Sequence, residues 1–376
     1  MRRKDKSMKY EFVAPCYFGT ERSAAFDFKR LGAENITVTD GRVAFTGDEQ
    51  VLASANIESR CAERILMLLK RAKVTTFDEL FDNVFSIAWE QLLPQNAEFP
   101  VKGASLSSTL SSVPACQSIV KKAIVERLKK GHKTSVLPED GELYKIRFSI
   151  RKDLLEVFLD TSGDGLHKRG YRAQSTEAPI KETLAATIVD LARVRGDSLV
   201  QDPFCGSGTI IIEAAQKAMK MAPGLRRRFL AEHYAFVPQE VWKAGREKAL
   251  GEVDRICTFE GVGFDVDPHA VELANKNAKL AGVADHCRFF VADVGKFAPA
   301  PRSLVLTNPP YGERLGDVEE ATRLEKLLGV RIAENPVKGA YIITANAGFE
   351  QNFGKTAARR RKLYNGMIPC QLYMYF

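Results

Sequence analysis

Asn308, Pro309, Pro310 and Tyr311 form a motif whose residue types suit chemistry on a nucleic-acid base. Two consecutive prolines stop a strand and fix the turn after it. The Asn308 amide oxygen and the Pro309 carbonyl can accept both hydrogens of an exocyclic base amine, which localises the nitrogen lone pair toward an activated methyl donor. Tyr311 offers a face on which an extruded base stacks. Taken alone, the motif is equally compatible with an ordinary loop.

A glycine-rich turn lies about a hundred residues earlier in the chain, between a predicted strand and a predicted helix. It comprises Asp202, Pro203, Phe204, Cys205, Gly206, Ser207, Gly208 and Thr209. The two glycines allow a tight turn and a close approach of the backbone to a ligand. The turn matches neither the dinucleotide pattern GxGxxG nor the phosphate loop GxxxxGK[ST]. Because no lysine follows Gly208, nicotinamide and nucleoside triphosphate ligands are disfavoured.

Three acidic residues follow the next two predicted strands. Asp265 is assigned to the hydroxyls of a ribose, as in other nucleoside-binding sheets. Asp267 is assigned to the N-cap of the helix that begins at Pro268. Asp293 can accept a hydrogen bond from an adenine amine, and an ordinary loop acid is an equally good interpretation of it. Acids at successive strand ends without phosphate ligands predict a nucleoside that carries no phosphate.

Alternating strands and helices position these residues in the C-terminal part of the chain. The strands are predicted at 198–202, 259–264, 287–291, 303–306, 339–344 and 371–376, and the helices at 209–221, 270–281 and 319–328. This alternation predicts an α/β fold with a largely parallel sheet covered on both faces. Ligands of such sheets bind at the carboxyl ends of the strands, where the three motifs lie.

The first 160 residues have a different, α+β pattern without a glycine-rich phosphate loop. Strands are predicted at 10–18 and 36–45, the second with a hairpin signal at Asp40-Gly41, and helices at 23–31, 51–69, 77–89 and 118–130. A further hairpin is predicted over 144–151 and 154–160. We interpret this part as a separate binding module that ends near Asp160.

Composition and charge indicate which classes of binding partner to expect. The chain has 376 residues and a formal net charge of +8, with five basic clusters near residues 121, 129, 168, 226 and 359. Such clusters favour a polyanionic partner, because neutralised phosphates release counterions. Seven dispersed cysteines and five dispersed histidines predict reduced thiols and no metal site. No apolar run is long enough to span a membrane, so we expect a cytoplasmic protein without membrane contact.

The motifs together resemble a known family. The segments DPFCGSGT, FDVDP, ADV and NPPYGERLG are similar to class I methyltransferases that act on amines. The segments at 166–172 and 178–185, and the ending RKLYNG at 361–366, are similar to bacterial THUMP-domain methyltransferases. The subgroup they resemble is that of the 23S ribosomal RNA guanine-N2 methyltransferases in their single-enzyme form.

This resemblance implies a Rossmann-like methyltransferase domain preceded by a ferredoxin-like and THUMP RNA-binding region. The expected domains are residues 8–70, 71–160 and 161–376, with the THUMP pattern beginning as early as residue 45. We expect residues 161–376 to fold and bind cofactor without the rest. The cofactor is S-adenosyl-L-methionine, which leaves as S-adenosyl-L-homocysteine, and no metal is expected.

The resemblance also assigns residues to roles. The glycine-rich turn holds the methionine moiety, Asp265 the ribose, and Asp293 with Val294 the adenine. Pro179, Lys181 and Glu182 open a helix whose amide end faces the methionine carboxylate. The catalytic residues are Asn308, Pro309, Pro310 and Tyr311, with Asn308 also next to the cofactor.

The expected partner is RNA, namely 23S rRNA or an assembly intermediate of the large ribosomal subunit, with no obligate protein partner. Two other functions stay open. One is a DNA adenine-N6 methyltransferase, which shares the chemistry of the Asn-Pro-Pro-Tyr motif. The other is a non-catalytic RNA-binding factor for ribosome assembly.

Overall fold

The computed structural model describes residues 9–172, 180–311, 315–366 and 368–376, without the side chains of 315–317. The strands are β1 (Tyr10–Pro15), β2 (Glu34–Thr39), β3 (Arg42–Gly47), β4 (Leu66–Lys73), β5 (Val101–Leu106), β6 (Ile146–Arg151), β7 (Leu154–Asp160), β8 (Leu199–Asp202), β9 (Glu260–Asp265), β10 (Cys287–Val291), β11 (Leu304–Thr307), β12 (Gly339–Thr344), β13 (Arg359–Asn365) and β14 (Ile368–Tyr375). The α-helices are α1 (Glu21–Arg30), α2 (Glu49–Glu58), α3 (Phe77–Phe85), α4 (Val113–His132), α5 (Glu182–Leu191), α6 (Thr209–Ala218), α7 (Gln239–Gly251), α8 (Pro268–Ala281), α9 (Leu315–Glu334) and α10 (Phe349–Phe353).

The N-terminal sheet contains seven strands in the order β2-β3-β1-β4-β7-β6-β5. Neighbouring strands pair antiparallel, except that β5 pairs parallel with β6. The predicted hairpins β2–β3 and β6–β7 are both present, the first turning at Asp40-Gly41 with Gly41 at φ +73°. Helices α1 to α4 bury residues such as Phe28, Leu52 and Ile124 in one core.

The prediction of one helix over residues 51–69 is wrong. Helix α2 ends at Glu58, and strand β4 begins at Leu66. Residues 65–69 are a short apolar run, a pattern that buried helices and buried strands share. β4 pairs with β1 on one side and with β7 on the other, so pairing across the sheet decides for the strand.

Two strands, β5 and β13, are absent from the sequence-based expectations. Each lies at the edge of its sheet, and each has several exposed residues. An edge strand that is half exposed needs no regular apolar alternation, so its sequence carries little strand signal. In β13, the basic residues 359–362 also conceal the pattern.

The C-terminal sheet has the order β10-β9-β8-β11-β12-β14-β13. Its first five strands are parallel, and β14 joins antiparallel to β12 and β13. Adjacent residues of β11 face opposite sides: Leu306 packs in a core with α5, α6 and α8, whereas Val305 packs in a core with α9 and α10. This sheet, covered on both faces, confirms the predicted α/β fold.

Residues between α6 and β9 pack against the N-terminal sheet. Phe229, Tyr234 and Trp242 are almost fully buried in the N-terminal core, and the Tyr234 ring stacks on Tyr144 at 4.6 Å between centroids. The Tyr234 hydroxyl donates to the Asp160 carbonyl at 2.6 Å. The C-terminal region therefore completes the N-terminal core, which argues against independent folding of residues 161–376.

The expected domain limits stay a prediction. The limit between residues 70 and 71 falls inside β4, a central strand of the N-terminal sheet. The first two expected domains thus share one continuous sheet. In the parts of the chain that the structure covers, no helix has both the length and the apolar composition needed to cross a membrane.

Candidate functional site

The parallel strands bring the predicted site residues to one edge of the C-terminal sheet. Asp202, Asp265 and Thr307 end β8, β9 and β11, and each of these strands runs parallel to its neighbour. The glycine-rich turn follows β8, and Asn308 follows β11 directly. Because parallel strands place their carboxyl ends together, one cleft edge holds the turn, the acids and the motif at 308–311.

Asp202 is buried at the edge of the sheet, with 1% of its surface exposed. Its Oδ1 accepts hydrogen bonds from the Phe204 backbone N–H at 3.0 Å and from the Thr307 hydroxyl at 2.6 Å. Burial raises the pKa of Asp202 to about 7, although both hydrogen bonds oppose this shift. Thr307, which sequence reasoning missed, thereby joins the glycine-rich turn to the strand before Asn308.

The glycine-rich turn needs its glycines. Gly206 and Gly208 have φ values of +50° and +82°, in the left-handed region that side chains disfavour. A Cβ at Gly208 would lie 3.0 Å from Ala274 and from the Phe289 ring, so α6 begins in close contact with its neighbours. The Ser207 carbonyl accepts from the Asn277 amide at 3.0 Å. Helix and strand packing fix this turn.

The two acids at the end of β9 have the different surroundings that the sequence predicts. Asp267 caps α8, because its Oδ1 accepts from the His269 backbone N–H at 2.9 Å, and this prediction is confirmed. Asp265 accepts from the Gly206 N–H at 2.9 Å and from the Asp267 N–H at 3.0 Å. The Asp265 carboxylate is partly exposed, and its hydrogen bond with Gly206 ties it to the glycine-rich turn.

Asp293 lies at the exposed end of β10. Its Oδ1 accepts from the Gly295 N–H at 2.7 Å and caps a short 3-10 turn. Val294 is buried in the core beneath α9. The structure therefore shows the local role of an ordinary loop acid, and a role toward adenine stays a prediction.

Helix α5 begins beside the glycine-rich turn. The Arg172 guanidinium donates to the Thr209 hydroxyl at 2.6 Å and to the Ile180 carbonyl at 3.1 Å, and it lies 3.4 Å from the buried Glu182 carboxylate. Lys181 is the N-cap residue, and it makes no side-chain cap. Arg172 therefore joins the start of α5 to the start of α6.

The other residues predicted at the start of α5 make no hydrogen bond to the glycine-rich turn among the contacts of the described residues. Burial raises the pKa of Glu182, although the nearby Arg172 opposes this shift. The Lys181 ammonium group lies 4.0 Å from the Glu63 carboxylate of the N-terminal region. Pro179 lies outside the described residues.

Asn308 is held by an aromatic side chain of its own motif. The Tyr311 hydroxyl donates to Asn308 Oδ1 at 2.7 Å, and the Asn365 amide donates to the Tyr311 oxygen at 3.3 Å. Burial raises the pKa of Tyr311 to about 12, so the hydroxyl is a donor at neutral pH. Pro309 is buried and Pro310 is exposed. Asn365 was missed as a site residue, although the ending that contains it carries part of the resemblance.

Several basic residues counted as candidate RNA contacts serve the fold instead. The Arg169 side chain is buried beside Glu213 at 3.4 Å. Arg227 donates to the carbonyls of Gly165 and Lys168 at 2.8 and 3.0 Å, and burial lowers its pKa to about 10. The clusters near 168 and 226 therefore overstate the charge available to RNA.

Other ligating groups are dispersed in the described parts of the chain. Within those ranges no group of three or more His, Cys, Asp or Glu side chains is arranged to hold a metal ion. The seven cysteines all fall in those ranges and are free thiols.

Three family models match successive parts of the chain. An RlmL ferredoxin-like domain matches residues 11–66, a THUMP domain residues 74–160, and an RMKL-like methyltransferase domain residues 169–374. The methyltransferase match covers more than half of the chain. The fold and the site thus define a Rossmann-like methyltransferase with a ferredoxin-like and THUMP region in front of it.

Curated relatives agree along the whole chain. The chain is 39% identical to the Bacillus subtilis protein named "Putative RNA methyltransferase YpsC", covering 98% of this chain and 96% of that one. It is 32% identical to "Ribosomal RNA large subunit methyltransferase K/L" of Syntrophotalea carbinolica, covering 98% of this chain and 53% of the relative. The chain thus spans about half the length of the K/L relatives. It belongs to the RMKL-like methyltransferase family, and the resemblance is confirmed.

Solved structures show the same architecture. One is described as a predicted N6-adenine-specific DNA methylase from Listeria monocytogenes, with a TM-score of 0.93 and 40% identity over 98% of this chain and 96% of that one. Another is described as "SMU.472, a putative methyltransferase complexed with SAH", with a TM-score of 0.92 and 37% identity over 98% of each chain.

Proposed function

We propose that this protein transfers a methyl group from S-adenosyl-L-methionine to the N2 amine of a guanine in 23S rRNA, free or in an assembling large subunit. The observation that carries the proposal is the hydrogen-bonded series Asn365–Tyr311–Asn308, which lies at the same sheet edge as Asp265 and the glycine-rich turn. An amine acceptor and a nucleoside site thus share one edge.

The cofactor site is built from groups that keep free hydrogen-bonding capacity. Each oxygen of Asp265 accepts one backbone N–H, and a carboxylate oxygen has a second lone pair for a ribose hydroxyl. Gly206 lacks a side chain that would separate a ligand from the turn, whereas the absence of a side chain at Gly208 allows close packing against Ala274 and Phe289. The exposed Val266 side chain, 68% accessible, supplies an apolar surface beside Asp265 for the adenine.

Further residues complete this site. Asp293 and Val294 bound the adenine end, and Lys181 and Glu182 at the start of α5 bound the methionine end. The cofactor supplies a methyl group that its sulfonium already activates, so this chemistry needs no metal. The task of the protein is to hold two reactants in line.

The target amine is activated by hydrogen bonds. Tyr311 occupies one lone pair of Asn308 Oδ1 and leaves the other to accept one amine hydrogen. The Pro309 carbonyl accepts the second hydrogen. The amine lone pair then forms the new nitrogen–carbon bond while the methyl–sulfur bond breaks, and the surplus proton leaves to water.

RNA is favoured over DNA by the N-terminal region. The ferredoxin-like and THUMP matches form one sheet beside the catalytic region, and the curated relatives carry RNA methyltransferase names. The description of the Listeria structure favours DNA adenine N6 as the second candidate. The Asn-Pro-Pro-Tyr chemistry suits either amine, so guanine N2 depends on the resemblance to the K/L enzymes.

The test is methylation of 23S rRNA from a strain that lacks this gene, with labelled cofactor and nucleoside analysis of the product. We expect N2-methylguanosine in RNA. N6-methyladenosine, or label in DNA alone, would overturn the assigned base or nucleic acid. Absence of any transfer would favour the non-catalytic assembly factor.

The same assay tests the motif. Asn308→Ala should lower the transfer rate at least about 100-fold, as loss of a preorganised hydrogen-bonding group does in other enzymes. Its affinity for S-adenosyl-L-homocysteine should be almost unchanged. Tyr311→Phe keeps the ring and loses the hydrogen bonds to Asn308 and from Asn365, so its rate should fall about tenfold. A rate for Asn308→Ala above a tenth of wild type would exclude the lone-pair mechanism.

A further inference from the structure

An aromatic pair joins the N-terminal sheet to the edge of the catalytic sheet. The Phe18 ring, which follows β1, lies 6.0 Å from the Tyr364 ring of β13, with the ring planes at 60°. Phe18 is 54% exposed, and Tyr364 is partly exposed. A pair whose only role was to hold the two regions together would be buried, whereas these rings remain partly accessible to a ligand. With Lys362 we call this pair the stacking platform.

The stacking platform carries positive charge. The Lys362 ammonium group lies 5.5 Å from the centroid of the Tyr364 ring, and Lys362 is exposed. Neighbouring Arg361 donates a hydrogen bond to the Gly19 carbonyl, which fastens the segment that carries Phe18 to β13. An aromatic face beside a cation suits a nucleotide, which has a flat base and an anionic phosphate.

The stacking platform lies next to the proposed base site. β13 is antiparallel to β14, which is antiparallel to β12, so β13 runs parallel to β12 and β11. The carboxyl ends of β13 and β11 therefore face the same edge. Asn365 follows Tyr364 directly, and its amide holds the Tyr311 hydroxyl. Tyr364 and Asn365 are consecutive, so the platform and the groups around the target amine lie on opposite faces of β13 at this one edge.

The segment that carries Phe18 is held from several sides. Tyr17 packs against the catalytic core, and a Cβ at Gly41 would lie 3.3 Å from the Phe18 ring. On β13, Leu363 and Asn365 are buried on either side of Tyr364. The aromatic surface is thus preorganised before a ligand binds, which reduces the entropy lost on binding.

We propose that the stacking platform binds the unpaired nucleotide next to the methylated one, with its base on Phe18 and Tyr364 and its phosphate near Lys362. The inference deepens the proposed function and rests on it. Extrusion of the target base removes a stacking partner from its neighbour in the RNA. An aromatic surface beside the site replaces that partner, whatever the identity of the neighbouring base.

The test uses the full chain and the 23S rRNA substrate described above. Phe18→Ala and Tyr364→Ala should each raise the KM for RNA about tenfold, the loss expected for one stacked base. Affinity for S-adenosyl-L-homocysteine should not change, and this also shows that the variants fold. Tyr364→Phe keeps a ring and should keep the wild-type KM. Phe26→Ala is the matched control, because Phe26 is another exposed phenylalanine, 66% accessible, in the N-terminal region.

A second measurement observes stacking directly. Trp89 and Trp242 are almost fully buried, so a Tyr364→Trp variant carries an exposed indole whose fluorescence a stacked base quenches. We expect quenching that saturates with RNA and is reduced by Phe18→Ala. If wild type methylates RNA but both alanine variants behave like Phe26→Ala, the platform is refuted. If wild type methylates no RNA, the proposed function fails first.

A protein partner would give a different result. Phe18→Ala and Tyr364→Ala would then leave the KM for purified 23S rRNA unchanged and reduce methylation only in assembling subunits that contain ribosomal proteins. This outcome would overturn the assignment of the platform to RNA.

Discussion

The two seven-stranded sheets arrange their strand ends differently. Most neighbours in the N-terminal sheet are antiparallel, so their ends alternate between its two edges. Five neighbouring strands in the C-terminal sheet are parallel, so their carboxyl ends meet at one edge. Asp202, Asp265 and Asn308 gather at that edge. Parallel strand direction therefore concentrates polar residues at one edge of the C-terminal sheet, whereas the antiparallel sheet offers its faces as surfaces.

The two sheets also differ in whether residues of their own region are enough to cover them. The C-terminal sheet is covered by its own helices on both faces. The N-terminal core includes Phe229, Tyr234 and Trp242 from the C-terminal region. Arg60 strengthens this junction by donating to the Met221 carbonyl at 2.6 Å. The two regions therefore depend on each other.

Deletion of residues 1–160 is the strongest test of that dependence. We expect the fragment 161–376 to aggregate, because Phe229, Tyr234 and Trp242 would lose their burial. Size-exclusion chromatography and thermal unfolding measure this outcome. Co-expression with residues 1–160 should restore soluble protein. A monomeric fragment that unfolds cooperatively and binds S-adenosyl-L-homocysteine would show that the sheets are independent.

Asp202→Asn tests the cost of burying an acid at the catalytic edge. The ordinary pKa of 3.8 rises to about 7 in the folded protein. Between about pH 4 and 7 the carboxyl ionises in the unfolded protein and stays protonated in the folded one. The free energy of unfolding of the wild type therefore falls as the pH rises through that window, and it loses nothing further from this group above pH 7. Asn keeps an oxygen that accepts from Phe204 and Thr307, and it does not ionise.

Relative to wild type, the Asp202→Asn variant should therefore gain roughly 2–4 kcal/mol of unfolding free energy from pH 4 to pH 7.5. Urea unfolding at several pH values measures the gain. Asp285→Asn, at an exposed position, is the control and should follow the wild-type profile. A parallel profile for Asp202→Asn would show that Asp202 ionises normally in the folded protein.

Asp265→Ala and Asp267→Ala compare two acids only two residues apart. Asp265→Ala should weaken S-adenosyl-L-homocysteine binding by roughly 1–3 kcal/mol, because ribose hydroxyls and the Gly206 N–H lose their acceptor. Asp267→Ala should leave binding unchanged and lower stability by about 1 kcal/mol through loss of the α8 cap. Calorimetry and urea unfolding separate the two effects. Equal binding by both variants would remove Asp265 from the cofactor site.

The sequence predicts the catalytic sheet well because its signals are local. Glycines at 206 and 208, the Asp267 cap and the prolines at 309 and 310 each fix the backbone within a few residues. The apolar strands at 287–291 and 339–344 have the predicted bounds. The local pattern alone therefore assigns the polar residues directly after such strands to one edge of the sheet.

Tertiary structure decided the features that depend on distant residues. The apolar run at 65–69 became a strand because β1 and β7 lie on either side of it. Gln201, a polar residue in the buried strand β8, accepts a hydrogen bond at its side-chain oxygen from the Ala300 N–H at 2.7 Å.

The sequence by itself determined which local motifs the proposed site uses: the Asn-Pro-Pro-Tyr motif, the acid assigned to a ribose and the glycine-rich turn, each made of neighbouring residues. Only the tertiary structure decided that Asn365 holds Tyr311, that Thr307 holds Asp202, and that Arg227 serves the fold. These pairs join residues that lie between 54 and 105 positions apart. A side chain's partners at that separation depend on how sheets and helices pack, and local sequence patterns carry no record of that packing.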